Sequence, residues 1–245
     1  MVLTVDIGNT KTALGVWNGS ELVTSMQAST TAPRDWVAWA LGAVPKGGVE
    51  GIALASVVPV ASDRWAAVAL ALNVGLRVFD GTTIPLIRVG VSSPALVGPD
   101  RVVNVLGALE WAPAPLIVVD MGTATTFDVL DAEGVFVGGA IAPGAAIGLE
   151  ALVARTDQLP TLALRAPHAA IGRDTVSAMQ SGAVLGYASL IDGMVARIRS
   201  ELGAQAYCVG TGGLAPQFAS LCTVFDRLDP WLTLRGLRRA WEATR

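Results

Sequence analysis

The chain has 245 residues, of which 52% are hydrophobic and 15% are charged, and its net charge is -3. This composition supports a large buried core and excludes a polycationic surface for nucleic acid. No apolar run of about 18 residues is free of charges or turn residues, and the first residues lack a signal-peptide pattern, so we expect a cytoplasmic protein without membrane contact. The cysteines, Cys208 and Cys222, lack metal-ligand spacing and are typical of a reducing compartment.

The elements predicted along the chain form two similar series. The stretch "LTVDIGNTKTALGVWNGSELV" near the start is echoed by "IVVDMGTATTFDVLDAEGVFVGG" at 117–139. Each predicts a strand ending in Asp, a turn with Gly and Thr, a second strand, a tight turn and a third strand. Each series is followed by a predicted helix, at 33–43 and at 145–155, and by two later strands, "GIALASVV" and "LRVFDG" in the first half, "AYCVGTGG" and "TVFDRLD" in the second.

The repeat predicts a duplicated α/β fold with a central cleft between two halves, 1–115 and 116–245. The two Asp-Gly-Thr turns would face each other across this cleft. Asp and Gly are also ordinary turn residues, which explains most single occurrences of such a pattern. A matched pair at the same point of two repeats favours a functional role.

The first turn, "DIGNT" at 6–10, has the residue types that hold phosphate. Main-chain N–H groups and a Thr hydroxyl meet there, and Gly8 has no Cβ to block a ligand. Asp6 would repel bare phosphates, so its presence indicates a cation, and Mg²⁺ held through water fits this requirement. Lys11 would neutralise phosphate charge, although a solvated lysine after a turn is commoner. Neither a P-loop nor a dinucleotide-binding glycine motif occurs in the chain.

Two later segments are further candidates. "GTGGLAP" at 210–216 is a glycine turn after a strand, and the helix that it opens would bind an anion at its N-terminal amides. In "VGPDRVVNVLGALEWA" at 97–112, Asp100 either caps a helix or accepts the proton of a substrate hydroxyl that attacks a γ-phosphoryl group. Arg101 would bind a substrate carboxylate. His168, in the loop "RAPHAA", is expected at the surface without a catalytic role.

The segment 174–202 predicts a long helix with more apolar positions than one face normally buries. We therefore expect a stable homodimer built on this helix. The mean hydropathy of +0.54 agrees with a buried subunit interface, and an Ala/Val-rich core is the alternative explanation.

Seven motifs in this order resemble type III pantothenate kinase, in the superfamily of acetate and sugar kinases, actin and heat-shock ATPases. They are "DIGNTKTALG" (6–15), "GPDR" (98–101), "DMGTATTFDVL" (120–130), "GGAIAPG" (138–144), "IGRDTVSAMQSGAVLGY" (171–187), "TGGLAP" (211–216) and "LDPWLTLRGL" (228–237). The resemblance implies two ribonuclease H-like, actin-like ATPase halves. Residues 1–115 would carry the phosphate loop and acceptor segment, and 116–245 the cation site, dimer helix and nucleotide-binding turn. The implied reaction is ATP-dependent phosphorylation of pantothenate to 4′-phosphopantothenate, the first step of coenzyme A biosynthesis.

The resemblance also implies residue roles, with Asp100 as the catalytic base. Implied ATP contacts are Asp6, Ile7, Gly8, Asn9, Thr10, Lys11, Thr12, Ala13 and Thr123. Implied pantothenate contacts are Val91, Gly98, Pro99, Asp100, Arg101 and Thr175, the last from across a dimer interface. Asp120 would hold a monovalent cation, K⁺ or NH₄⁺, and Asp6 would hold Mg²⁺ through water. One departure is "VSSP" at 91–94, where the family usually has a Tyr and an Asn.

Two other protein classes share this fold. A regulatory or accessory binding protein is the alternative to an enzyme, but the three aspartates Asp6, Asp100 and Asp120 are all present and favour catalysis. An actin-like filament protein is disfavoured because the chain is too short for the additional subdomains.

Overall fold

The structure is a computed structural model, and it describes residues 1–32 and 35–245. The chain divides into two compact units. Unit 1 comprises Met1–Pro113, Gly134–Gly138 and Trp231–Arg245, and unit 2 comprises Ala114–Glu133 and Gly139–Pro230. The C-terminal segment thus belongs to unit 1, although the division expected at 115/116 assigns it to the second half.

The strands and helices follow in chain order. The strands are β1 (Val2–Ile7), β2 (Lys11–Asn18), β3 (Glu21–Ser29), β4 (Gly51–Ser56), β5 (Gly75–Phe79), β6 (Arg88–Val89), β7 (Leu116–Met121), β8 (Ala124–Leu130), β9 (Val135–Pro143), β10 (Tyr207–Thr211) and β11 (Arg227–Leu228). The helices are α1 (Trp36–Ala43), α2 (Pro59–Ser62), α3 (Arg64–Leu72), α4 (Pro99–Ala108), α5 (Ala145–Ala154), α6 (Thr175–Gln180), α7 (Tyr187–Leu202), α8 (Ala215–Phe218) and α9 (Leu232–Ala243).

Unit 1 is built on a five-stranded sheet in the order β3-β2-β1-β4-β5. The first three strands form an antiparallel meander, and β4 and β5 extend it in parallel. Every second side chain of β1, at Leu3, Val5 and Ile7, points into one core. That core also contains Trp36 of α1 and Trp65 of α3. This alternation is the two-residue period of a strand with one face on a helix layer.

Helix α9 packs on α4 within unit 1. Arg235 Nη1 donates to Glu110 Oε2 at 2.9 Å, and the buried Arg238 pairs with the same carboxylate. The Trp241 ring covers Gly51, where a Cβ would overlap the ring. Buried charges are costly without partners, so these pairs fix α9 to unit 1.

Unit 2 contains the strand order β11-β10-β7-β8-β9, in which β7 pairs antiparallel with β8 and parallel with β10. Its core joins Ile117 and Val119 of β7 to Ile191 and Val195 of α7. The two-residue strand β6 pairs with Val135 and Phe136 at the start of β9, in the part of β9 that belongs to unit 1.

Most predicted elements are confirmed. Both three-strand series form, the helix at 145–155 is α5, and the helix at 33–43 is α1, except that Pro33 and Arg34 lie outside the described residues. The segment 174–202 is helical throughout, with a π-helical stretch, Ser181–Gly186, between α6 and α7.

The short strand expected in "TVFDRLD" forms as β11, which has only two residues. The Asp226 carboxylate accepts the Cys208 N–H at 2.8 Å, so a side chain replaces part of the strand ladder. Among residues 1–32 and 35–245, no helix has the length and apolar character to cross a membrane.

Candidate functional site

The turn between β1 and β2 is closed by main-chain hydrogen bonds. The Gly8 N–H donates to Lys11 O at 2.9 Å, the Thr30 N–H donates to Thr10 O at 3.0 Å, and the Val57 N–H donates to Ile7 O at 3.1 Å. At the tip of the turn, residues 9–11 are exposed, so their polar groups are accessible to a ligand.

The turn between β7 and β8 has the same construction in unit 2. The Gly122 N–H donates to Ala124 O at 3.0 Å, the Gly144 N–H donates to Thr123 O at 3.1 Å, and the Leu214 N–H donates to Met121 O at 3.0 Å. In both units, therefore, one main-chain hydrogen bond closes the turn, a second joins it to the residue after the third meander strand, and a third joins it to the segment after the neighbouring parallel strand. This agreement in detail is what a duplicated fold predicts.

A buried threonine follows each turn. The hydroxyl of Thr12 lies 3.1 Å from that of Thr30, and Thr30 donates to Gly8 O at 2.7 Å. In unit 2 the hydroxyl of Thr125 lies 2.6 Å from that of Tyr187. Burial raises the pKa of Tyr187, and the nearby Asp120 charge adds to the rise.

The side chain of Thr12 therefore points into the protein, as does that of Ile7, which is 1% exposed. Both residues belong to the stretch for which ATP contacts are expected. They would reach a ligand only through their main chains.

Glycines surround the carboxylate of Asp120. A Cβ on Gly122 would lie 3.6 Å from Asp120 Oδ1, and a Cβ on Gly212 would overlap that oxygen. Gly212 has a φ of 91°, which L side chains rarely adopt. Main-chain oxygens of Gly122 and Thr123 lie beside Gly144. Carboxylate and carbonyl oxygens are the ligands that hard cations prefer, so the Asp120 carboxylate has the donor chemistry that a cation requires. In the part of the chain that is described, no group of three His, Cys, Asp or Glu residues is arranged to hold a metal ion.

The acceptor segment begins helix α4. Gly98 is the N-cap residue and Asp100 the second residue of the helix, so the interpretation of Asp100 as an N-cap is wrong. Asp100 Oδ1 accepts the N–H of Arg101 at 3.0 Å. Gly98 is required for this arrangement, because its Cβ would overlap Asp100 Oδ1. Burial raises the pKa of Asp100, against the opposing effects of the Arg101 N–H and the Arg101 charge.

Phe136 of β9 joins the acceptor segment to the "VSSP" stretch within unit 1. The guanidinium of Arg101 lies 5.7 Å from the centre of the Phe136 ring. The Gly90 N–H donates to Phe136 O at 2.8 Å, and Val91 Cγ1 lies 3.4 Å from the position of a Cβ on Gly138. Sequence reasoning missed Phe136, whose only signal was its place two residues before "GGAIAPG".

A model of the type III pantothenate kinase family matches residues 2–197. The chain belongs to this family. Named type III pantothenate kinases include one from Thermomicrobium roseum, 44% identical over 99% of this chain and 97% of its own length, and one from Thermus thermophilus, 42% identical over 98% of both.

Solved structures share the fold at low identity. A protein described as a Baf family transcriptional activator from Campylobacter jejuni superimposes with a TM-score of 0.61 at 17% identity, covering 99% of this chain and 98% of its own. Component A of (R)-2-hydroxyglutaryl-CoA dehydratase from Acidaminococcus fermentans gives 0.55 at 14% identity, covering 100% and 99%. The α/β fold expected for a type III pantothenate kinase, of the ribonuclease H-like and actin-like ATPase kind, is confirmed.

The remaining predicted residues lie in unit 2. Thr175 is the first residue of α6, exposed and next to the capping residue Asp174, whose pKa is lowered by hydrogen bonds from Ser177. His168 is exposed, as predicted.

The anion site expected after "GTGGLAP" has no structural support. Helix α8 is a single turn, and the N–H groups of Leu214 and Ala215 already donate to Met121 O and Gly212 O.

Proposed function

We propose that this chain catalyses ATP-dependent phosphorylation of pantothenate to 4′-phosphopantothenate, the first step of coenzyme A biosynthesis. Family membership over nearly the full chain supports this assignment. The observation that carries the chemistry is Asp100, a carboxylate with a raised pKa at the start of α4, directly followed by a guanidinium. A general base works best when its pKa is closer to the operating pH than that of a free carboxylate.

In the proposed reaction, Asp100 accepts the proton of the primary hydroxyl of pantothenate. The hydroxyl oxygen forms a bond to the γ-phosphorus of ATP while the bond to the β,γ-bridging oxygen breaks, and ADP leaves. Arg101 holds the pantothenate carboxylate, and its contact with the Phe136 ring restricts the guanidinium plane.

The turn at 6–13 binds the ATP phosphates, through main-chain N–H groups at its exposed tip and through the charge of Lys11. Thr123 supplies a further ATP contact from the equivalent turn of unit 2. Gly98 and Pro99 set the backbone of the pantothenate pocket, and Val91 covers part of it.

Two cations complete the proposal. Asp6 would hold the Mg²⁺ that accompanies ATP, through water, and the metal charge would neutralise the phosphate oxygens. Asp120, whose carboxylate lies against Gly122 and Gly212, would hold K⁺ or NH₄⁺.

We propose that the working form is a homodimer in the cytoplasm. Exposed apolar side chains on and near the long helix of unit 2 would be covered in such a dimer: Ile171, Val176 and Leu190 are 84%, 43% and 37% exposed. Thr175 would then contact pantothenate bound to the partner subunit. Both cysteines are free thiols, the form expected in a reducing compartment.

A coupled ADP-release assay tests the function. ADP release is expected only when ATP and pantothenate are both present, and it should be faster in K⁺ than in Na⁺. An ADP-release rate that is the same with and without pantothenate would refute pantothenate as the substrate. No ADP release under any condition would favour an accessory role. Equal rates in both salts would refute the cation site alone, and a monomer by light scattering at micromolar concentration would refute the dimer.

A further inference from the structure

Thr30 makes two hydrogen bonds to the turn that we assign to the ATP phosphates. It follows β3, and it is 6% exposed. Its N–H donates to Thr10 O at 3.0 Å and its hydroxyl donates to Gly8 O at 2.7 Å. One residue thus binds two carbonyl oxygens of the same short turn.

The direction of the hydroxyl hydrogen bonds follows from proton count. A threonine hydroxyl has one proton, and that of Thr30 is given to Gly8 O. The contact of 3.1 Å between Thr12 Oγ1 and Thr30 Oγ1 therefore has Thr12 as the donor. The result is a buried chain from Thr12 to Thr30 to the Gly8 carbonyl.

This chain controls the direction of a neighbouring N–H. The Gly8–Asn9 peptide is trans, and in a trans peptide the C=O and the following N–H point in opposite directions. Because the Gly8 carbonyl is held toward Thr30, the Asn9 N–H points away from Thr30. Asn9 is an exposed residue at the tip of the turn, so a ligand can approach the residue that carries this donor.

We propose that Thr30 is a positioning residue for ATP, which acts by holding the Gly8 carbonyl so that the Asn9 N–H faces a phosphate oxygen. This inference rests on the proposed function for the identity of the ligand. A donor that is already held in its binding orientation loses less conformational entropy when the ligand binds, so it binds more tightly. Thr30 itself makes no contact with ATP in this scheme.

The chain provides a matched control in the same sheet. Thr4 on β1 is fully buried, and its hydroxyl donates to Gly15 O at 3.1 Å and accepts from Trp17 Nε1 at 2.9 Å. Its partners lie along β2 and not at the turn. Thr4→Val therefore removes a buried hydroxyl of the same kind without touching the Gly8 carbonyl.

The experiment compares Thr30→Val, Thr30→Ser and Thr4→Val in the full-length protein. The ATP dissociation constant is measured by equilibrium titration without pantothenate, and KM for both substrates and kcat are measured by ADP release. Thr30→Val should raise the ATP dissociation constant and KM for ATP about tenfold, the effect of one lost positioning hydrogen bond, with KM for pantothenate unchanged. Thr30→Ser keeps the donor and should stay within about threefold of wild type. Thr4→Val should lower Tm and leave ATP binding unchanged.

A folded Thr30→Val protein with wild-type ATP affinity would overturn the proposal, and so would a Thr30→Ser protein as weak as Thr30→Val. If Thr30→Val fails to fold, Thr12→Val removes only the supporting donor and should weaken ATP binding about threefold; unchanged affinity there refutes the scheme. Product formation by the wild type separates the two hypotheses. A wild type that binds ATP without phosphorylating pantothenate refutes the substrate, while its ATP affinity still tests Thr30.

Discussion

Asp100→Asn is expected to remove catalysis without removing stability. The change keeps the side-chain volume, and an Asn oxygen still accepts the Arg101 N–H that Asp100 binds at 3.0 Å. It removes the negative charge and with it the ability to take a proton. The expected loss is about 10²–10⁴-fold in kcat, which corresponds to about 3–5 kcal/mol in activation free energy.

The same substitution should leave the thermal stability of the protein unchanged or raise it at neutral pH. Because burial raises the pKa of Asp100, the folded state favours the protonated carboxyl more than the unfolded state does. Its stabilising contribution is present below the unfolded pKa and is lost as pH rises through the folded pKa. Asn carries no charge, so the variant is expected to unfold at a Tm equal to or above that of wild type at pH ~7, with any advantage lost toward pH ~4.

The assay is ADP release at saturating substrates, with Tm measured by calorimetry at both pH values. The rate of wild type should fall at acid pH with a midpoint above the usual range of an aspartate, since the base must be ionised to act. Asp35→Ala is the control, because Asp35 is a true N-cap that accepts the Ala38 N–H at 2.9 Å. It should cost about 1 kcal/mol of stability and leave kcat intact. An Asp100→Asn protein that retains more than about half of the wild-type rate would show that another group is the base.

Three further substitutions test other parts of the site. Asp6→Asn should raise the Mg²⁺ and ATP concentrations needed for activity, with partial rescue at high Mg²⁺, and a normal Mg²⁺ dependence would contradict the assigned role. Val91→Tyr should lower KM for pantothenate up to about tenfold and leave kcat unchanged, because the restored hydroxyl would act in ground and transition states alike. An unchanged or higher KM in a folded variant would mean that the "VSSP" loop has a different conformation and that Val91 does not occupy the position of the family's Tyr. Gly212→Ala places a Cβ on Asp120 Oδ1 at a φ of 91°. It should lower the free energy of unfolding by about 1–3 kcal/mol and weaken the activation by K⁺. Gly148→Ala is the control, because it lies in an open position of α5 and should raise the free energy of unfolding by about 0.5–1 kcal/mol.

The repeated meanders and the long helix of unit 2 were predictable because the hydrophobic periodicity of a strand or helix depends only on neighbouring residues in the sequence. Alternation along β1 and the apolar spacing of α7 are set by residues within a few positions of each other. The paired aspartate turns were also visible, because Asp, Gly and Thr recur in the same order after the first strand of each series.

Contacts between distant segments were not predictable from the sequence. Nothing local shows that α9 joins unit 1, because its partner Glu110 is remote in the chain. The Thr30 hydroxyl and the Phe136 ring meet the site through strand register, which follows from the whole sheet. The helix predicted after "GTGGLAP" forms as α8, but its single turn was not predictable, because a glycine turn before Pro216 indicates a helix start and gives no information about the helix length.

The place of α9 in unit 1 also sets an order of events during synthesis. Strands β1 to β5 leave the ribosome early, yet the helix that covers one of their faces comes last. At about 5–20 residues per second, the wait between Pro113 and Trp231 is on the order of ten seconds. Unit 2 has all of its segments by Pro230, so its chain is complete while unit 1 still lacks the helix that covers one face of its sheet. A nonsense mutation just after Pro230 would therefore damage unit 1, including the Asp100 segment, and leave every segment of unit 2 present.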